Sequence, residues 1–152
     1  MSELKSRVLF EVSVDLADPQ RVGATPHGNR SIHYVTGGSF EGPKLMGEVL
    51  PGGGDWLLLR PDGAGELDVR ATLRTDDGHL IYTYYRGILN VPPETLQRVM
   101  AGETVAPSEY YFRTAPAYET ASEKYAWLNR IVAVAVGKFS PNWVGYTVYE
   151  VL

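Results

Sequence analysis

The sequence predicts an all-β, mainly antiparallel protein: a closed or nearly closed β-barrel of about nine or ten strands with one or two short helices. Three observations carry this. Short runs alternate apolar and polar residues. Sixteen Gly and ten Pro punctuate those runs, as turn residues do between strands. Ten Tyr and three Trp enrich the chain in strand-favouring residues. So many short strands must close on themselves or stack to protect their edges, which puts a barrel first and a sandwich second.

The elements follow in order. Val8 to Asp15 alternates, with Val8, Phe10, Val12 and Val14 on one face. Ala17 to Asn29 reads as a loop containing Pro19, Gly23, Pro26 and Gly28. Arg30 to Thr36 is a strand ended by Gly37-Gly38, and Lys44 to Leu50 a third ended by Pro51 and Gly52 to Gly54. Trp56 to Arg60, Glu66 to Thr75 and His79 to Leu89 form a meander through turns at Pro61-Asp62-Gly63 and Asp76-Asp77-Gly78. Pro92-Pro93-Glu94 opens a helix with the apolar stripe Leu96, Val99 and Met100, stopped at Gly102. Tyr110 to Thr114 is a further strand. Pro116 to Asn129 is irregular with room for a turn of helix. Arg130 to Phe139 and Val144 to Leu152 pair around Pro141-Asn142.

With 152 residues the chain is expected to be one domain, 1–152, and a domain of this size buries roughly 70% of its unfolded surface, so it folds without staples. It has no cysteine, which excludes disulfides, thiolate nucleophiles and thiolate metal sites. The net charge is −4 and the pI about 5.3. Lys and Arg are scattered, which argues against nucleic acid and against an anionic membrane surface. Met1 to Arg7 has no signal-peptide core and the longest apolar run, Ile131 to Gly137, is too short to span a bilayer, so a cytoplasmic location is expected. His27, His33 and His79 are widely separated, and no metal or cofactor is expected. There is no nucleophile elbow, P-loop or dinucleotide fingerprint.

The meander carries the candidate site. A three-residue loop at Asp76-Asp77-Gly78 sets Thr75 opposite His79, and hence Arg70 opposite Tyr84, Thr72 opposite Tyr82 and Asp68 opposite Arg86. If Arg60 faces Glu66, Trp56 faces Arg70. One face then holds Trp56, Arg60, Asp68, Arg70, Tyr82 and Tyr84, and the other holds Leu57, Leu59, Leu67, Val69, Ala71, Leu73, Ile81 and Tyr85. The mixed face is either solvated, with the leucine face as core, or it lines a lumen. In the second case Trp56 and Tyr84 bracket a flat ligand and Arg70, held by Asp68, meets a carboxylate, carbonyl or phenolate through its planar fork. Arg113 beside Tyr110-Tyr111-Phe112 reads either as a surface arginine or as an anion binder. Trp127 reads as a core anchor or cage wall, Asn129 as a cap or ligand contact. Asp55 reads as a turn residue or as a rim carboxylate able to move a proton.

The strings Gly37-Gly38-Ser39-Phe40-Glu41-Gly42-Pro43-Lys44-Leu45-Met46-Gly47, Asp55-Trp56, Asp68-Val69-Arg70, Asp76-Asp77-Gly78-His79-Leu80-Ile81, Tyr111-Phe112-Arg113-Thr114 and Tyr125-Ala126-Trp127-Leu128-Asn129 occur in an order that resembles the UPF0311 family of small β-barrel proteins, also called DUF3237. The likeness runs from about Val8 to Val151; Tyr118 stands where relatives often carry Phe. The resemblance implies a single-domain antiparallel barrel and no general activity, and it favours the lumen reading for Trp56, Asp68, Arg70, Arg113, Trp127 and Asn129.

The resulting expectation is a cofactor-independent enzyme of isomerase, cyclase or lyase type acting on a small, flat, oxygenated molecule. Arg70 and Arg113 would bind the anion or oxyanion. Asp55, Asp68 and Tyr84 would handle protons, and Trp56, Arg60, Tyr82, Trp127 and Asn129 would contact substrate. The alternatives are a carrier barrel using the same cage without chemistry, and a structural subunit of a homo-oligomer with the leucine face as its interface. An alanine at Arg70 distinguishes the first two: a carrier loses affinity, an enzyme loses turnover.

Overall fold

A computed structural model describes residues 2–152. Eleven strands form one antiparallel sheet: β1 (Ser6–Leu16), β2 (Gln20–Thr25), β3 (Gly28–Glu41), β4 (Met46–Val49), β5 (Gly54–Leu59), β6 (Gly65–Thr75), β7 (Leu80–Asn90), β8 (Tyr111–Thr114), β9 (Ala117–Glu119), β10 (Ala133–Ser140) and β11 (Trp143–Val151). Pairing runs β6-β5-β3-β1-β11-β10-β8-β7, and the β6–β7 ladder closes the circle. Eight strands therefore make the barrel wall. β2, β4 and β9 extend it at the rims.

The β6–β7 hairpin has the register its turn chemistry dictates: Asp68 opposes Arg86, Arg70 opposes Tyr84 and Thr72 opposes Tyr82. The β5–β6 hairpin differs by two residues. Gly54, not Trp56, opposes Arg70, and Leu58 opposes Glu66. The reason lies in the turn, where the Arg60 amide bonds to Ala64 O at 2.9 Å, so that Arg60 faces Ala64 across Pro61-Asp62-Gly63, a tighter loop than a pairing of Arg60 with Glu66 would leave. The Arg60 guanidinium then clasps Asp62 (2.5 Å) and Glu66 (3.3 Å) across that loop. A shift of two keeps every side chain on its own face; a shift of one would have turned the strand over.

The expected loop Ala17 to Asn29 instead contains β2, which pairs β3 and turns at Pro26-His27. The expected stop at Gly37-Gly38 is a bend, and β3 runs on to Glu41. Gly38 has φ +150, and a Cβ there would stand 2.1 Å from Ser13 O. Only glycine lets β3 pass so close to β1 while turning to pair β4. The segment after Pro116 contains β9 and a short 3-10 helix, Ala126–Arg130.

The core settles which face points inward. Leu67, Val69, Leu73 and Ile81 are buried with Phe10, Phe40, Phe112, Tyr146 and Val148. The leucine face is thus the barrel interior, and it is not an interface between subunits. The mixed face points out: Arg70 and Arg86 are exposed, and Tyr84 is 48% exposed. This corrects the lumen reading of Arg70. A closed eight-stranded barrel is just wide enough for side chains to fill, and apolar contact within it outweighs the option of hydrating a row of leucines outside. Trp56 does not need the lumen either. It meets Tyr34 edge-on, ring centres 6.2 Å apart, and its carbonyl accepts from Arg30 Nη1 at 2.8 Å.

The helix α1 (Pro93–Met100) begins at the prolines and ends where Gly102, at φ +86, lets its amide return to Val99 O. It buries Thr95 and Val99, whereas Leu96 and Met100 of the expected stripe stay exposed at 39% and 53%.

Candidate functional site

The sequence-predicted residues separate into several places. Asp68, Arg70, Tyr82 and Tyr84 share the outer wall of β6 and β7. There the Tyr82 and Tyr84 rings stack with centres 5.4 Å apart. Trp56 lies outside β5, and Arg60 is the clasp of the β5–β6 turn. Arg113 is exposed on β8; its Nη1 donates to Phe112 O at 2.9 Å and its guanidinium lies 5.0 Å from the Tyr111 ring centre. Trp127 and Asn129 belong to the 3-10 segment Ala126–Arg130. The Lys44 ammonium sits 4.8 Å from the Trp127 ring centre. Asn129 binds both backbone groups of Thr120, accepting at 2.8 Å and donating at 2.9 Å, and so fastens the chain before β10.

While Trp127 packs against the core from its 3-10 segment, Asp55 alone of the sequence-predicted residues on strands points inward. Its register partners are His33 on β3 and Val69 on β6, and Val69 in turn opposes Tyr85 on β7. One row across the inner wall therefore reads His33, Asp55, Val69, Tyr85. Asp55 Oδ1 accepts the Asp68 amide at 3.1 Å, at a point where the ladder between β5 and β6 has no pairs at Trp56 and Leu57. The carboxyl is wedged into the seam between the strands.

The electrostatics of this row are unusual. Burial pushes the Asp55 pKa up to about 7, and the Asp68 charge adds to the rise; the Asp68 amide and Arg30 oppose it. A little of the residue remains accessible, yet loss of hydration dominates, as it does for a carboxyl enclosed by protein. His33 moves the other way. Burial lowers its pKa, and the Arg21 charge lowers it further. Across the lumen Tyr146 meets Tyr85 edge-on at 5.4 Å. Burial raises both phenols, and the Asp55 charge raises them again, so the three groups feel one another. Burial also raises Tyr118.

A cavity of about 30 Å³ adjoins Tyr85, Tyr146, Tyr118, Thr83 and Thr114. That is room for one water or one hydroxyl group, and a flat metabolite does not fit inside the barrel wall. A larger depression of about 600 Å³ lies on the outside, over β1 and β11. Its floor includes Trp143, whose Nε1 donates to Ser13 Oγ at 2.8 Å. Among the described residues no three His, Asp or Glu side chains converge on a point that could hold a metal ion, and no helix is long and apolar enough to cross a membrane.

Sequence reasoning missed His33, Tyr85 and Tyr146. Tyr85 was legible as a member of the leucine face. His33 was not, because β3 and β5 pair across the intervening β4 and no turn announces their register.

Comparison with known proteins adds the wider setting. Residues 4–151 match the family model described as "Protein of unknown function (DUF3237)". A UPF0311 protein of Clostridium acetobutylicum is 36% identical over 152 residues, covering 99% of this chain and 96% of its own. A UPF0311 protein of Rhodopseudomonas palustris is 33% identical, covering 98% and 97%. Among solved structures, a conserved protein of unknown function from Rhodopseudomonas palustris superposes with a TM-score of 0.93 at 32% identity over the whole of both chains. A "beta-barrel like protein" from Acinetobacter baumannii gives 0.86 at 37%, covering 100% of this chain and 98% of that one. An enzyme from Penicillium herquei gives 0.74 at 19% identity, covering 100% and 97%, a likeness of fold alone.

Proposed function

The chain belongs to the DUF3237 (UPF0311) family, whose description assigns no activity, and we propose from this chain's own geometry that it is a cofactor-independent acid–base enzyme acting on a small oxygenated molecule. The observation that carries the reading is the inward Asp55 carboxyl, raised to about 7 by burial and set opposite His33. An ordinary Asp–His pair at neutral pH is a carboxylate and an imidazole poised to protonate. Here the two environments push toward a protonated carboxyl and a neutral ring. One is then an acid and the other a base at the pH of use, which is the condition for efficient proton transfer in both directions.

The chemistry is proton relocation: isomerisation, cyclisation, addition or elimination next to a carbonyl. His33 takes a proton from carbon or from a hydroxyl, and the Asp55 carboxyl protonates the oxygen or carbon that gains charge. Substrate rests at the barrel rim over β3 and β5 and inserts no more than a hydroxyl- or carbonyl-sized group toward Tyr85 and Tyr146. Those phenols, held protonated, are hydrogen-bond donors for the developing oxyanion. Arg70 and Tyr84, on the outer wall, have no part in this reading.

Two measurements test it. The Asp55 carboxyl resonance, identified by its loss in Asp55→Asn, is expected to titrate with a midpoint near 7; a midpoint near the ordinary Asp value of about 4 overturns the assignment. With a cyclic 1,3-diketone as carbon acid in D₂O, wild type is expected to catalyse exchange of the acidic C–H. Asp55→Asn and His33→Gln are each expected to lose about a hundredfold or more; equal rates in all three proteins refute the role.

A further inference from the structure

Ser31 and His33 stand two residues apart on β3, so their side chains share one face. It is the face of Val35, which is buried in the core. Ser31 Oγ and His33 Nε2 are 3.0 Å apart, a hydrogen-bond distance. Both residues are half-buried, enough to hold a geometry and not enough to bar a ligand. Arg21 on β2 is the register partner of Ser31, and its charge lies close enough to His33 to help hold the ring in its neutral, proton-accepting form.

A serine hydroxyl bonded to an imidazole nitrogen is the first requirement of an activated oxygen nucleophile. The second is a donor for the oxyanion that forms when a carbonyl is attacked. Ser31 lies between two paired strands, β2 and β5, so its own amide is committed to the ladder and cannot serve. The Arg21 guanidinium, on the same face and directly across, can.

We infer that Ser31 is a nucleophile with His33 as its general base and Arg21 as its oxyanion donor, and that the rim of the barrel accepts acyl compounds with an activated carbonyl, namely esters and lactones. Ser31 Oγ attacks the carbonyl carbon and its proton passes to His33 Nε2. The tetrahedral oxyanion rests against Arg21. The C–O bond to the leaving alcohol breaks and the alcohol oxygen takes the proton from His33. Water then attacks the acyl group on Ser31, giving its proton to His33; the Ser31 C–O bond breaks, Ser31 recovers a proton from His33, and a carboxylic acid leaves. The balance is ester plus water to acid plus alcohol, with no other reactant. This goes beyond the acid–base reading, which needs neither Ser31 nor Arg21 and shares only His33 with it.

The test uses a biotinylated fluorophosphonate as the nucleophile probe and p-nitrophenyl acetate as the ester. In wild type the adduct is expected on Ser31, located by peptide mass spectrometry. Ser31→Ala is expected to abolish labelling and ester turnover, and His33→Gln to slow both about a hundredfold or more. Arg21→Met is expected to slow ester turnover by a similar factor. Ser6→Ala, at an exposed strand end, controls for general serine reactivity and keeps wild-type rates. Thermal unfolding confirms that each variant is folded, and if Ser31→Ala fails to fold, His33→Gln and Arg21→Met decide. An adduct on another residue, no adduct at all, or wild-type labelling in a folded His33→Gln overturns the inference. The Asp55 titration is a separate readout, so the nucleophile can fail while the acid–base reading stands, and the reverse.

Discussion

The two faces of the β5–β6–β7 wall are built from alternate residues of the same strands and behave as different materials. Outside, Arg70, Tyr84 and Arg86 lie in water, where a charge costs little to keep and exposed ion pairs contribute about 0–1 kcal/mol. Inside, the Asp55 carboxyl among leucines, valines and phenols has its pKa moved by burial to about 7. The comparison teaches that the density of charged and aromatic residues on a strand face is a poor guide to a site. What makes a group chemically unusual is the loss of water around it, and that is a property of the enclosed face, where charged residues are few.

The sharpest way to break the contrast is at Ile81, whose side chain is fully buried. Ile81→Ala is expected to lower stability by about 2–5 kcal/mol in urea unfolding. A loss below about 1 kcal/mol would mean the interior is loosely packed and the inward face is not the core.

Next comes Asp55. Its folded pKa of about 7 lies above the unfolded value of 3.8, so between those values the folded state holds the extra proton. Stability is then full below about pH 4, falls as pH rises toward 7, and stays low above it. At about 1.4 kcal/mol per pKa unit, discounted for the residual exposure of the residue, the loss is on the order of 2–4 kcal/mol. Asp55→Asn keeps an oxygen for the Asp68 amide and cannot ionise. It is expected to lack this fall and to exceed wild type at pH 8. Parallel profiles for the two proteins would remove Asp55 from the inward set.

A smaller effect is expected at Asn129, whose two bonds to Thr120 make Asn129→Ala cost about 1–2 kcal/mol. Binding of any identified ligand should be unaffected, because the residue fastens a loop. The smallest is Arg70→Ala, expected within about 0.5 kcal/mol of wild type and without effect on diketone exchange. A tenfold loss of exchange in Arg70→Ala would restore the outer wall as the working face and reverse the comparison.

Much of this architecture was written locally. Alternation named the strands. The Asp76-Asp77-Gly78 turn fixed the β6–β7 register residue by residue, and the prolines and Gly102 bounded the helix. These features depend on residues close in the chain, where turn chemistry and side-chain period act directly. The β2 strand was hidden by Pro19, Gly23, Pro26 and Gly28, which look like loop. The β5–β6 register differs by two because the Arg60 amide bonds to Ala64 O and Asp62 holds the Ala64 amide, which tightens the turn.

Period-two alternation divides a strand into two faces but does not say which is enclosed. For β6 and β7 the sequence by itself determined that Arg70 and Tyr84 stand together and that Val69 and Tyr85 stand together. Only closure of eight strands decided that the second pair, with Asp55 beside it, lies away from water. The pairing of His33 with Asp55, and of Ser31 with Arg21, was likewise decided by tertiary structure. These partners belong to different strands, and their register rests on the packing of the whole barrel, since no local propensity reaches across a β3–β5 connection that another strand interrupts.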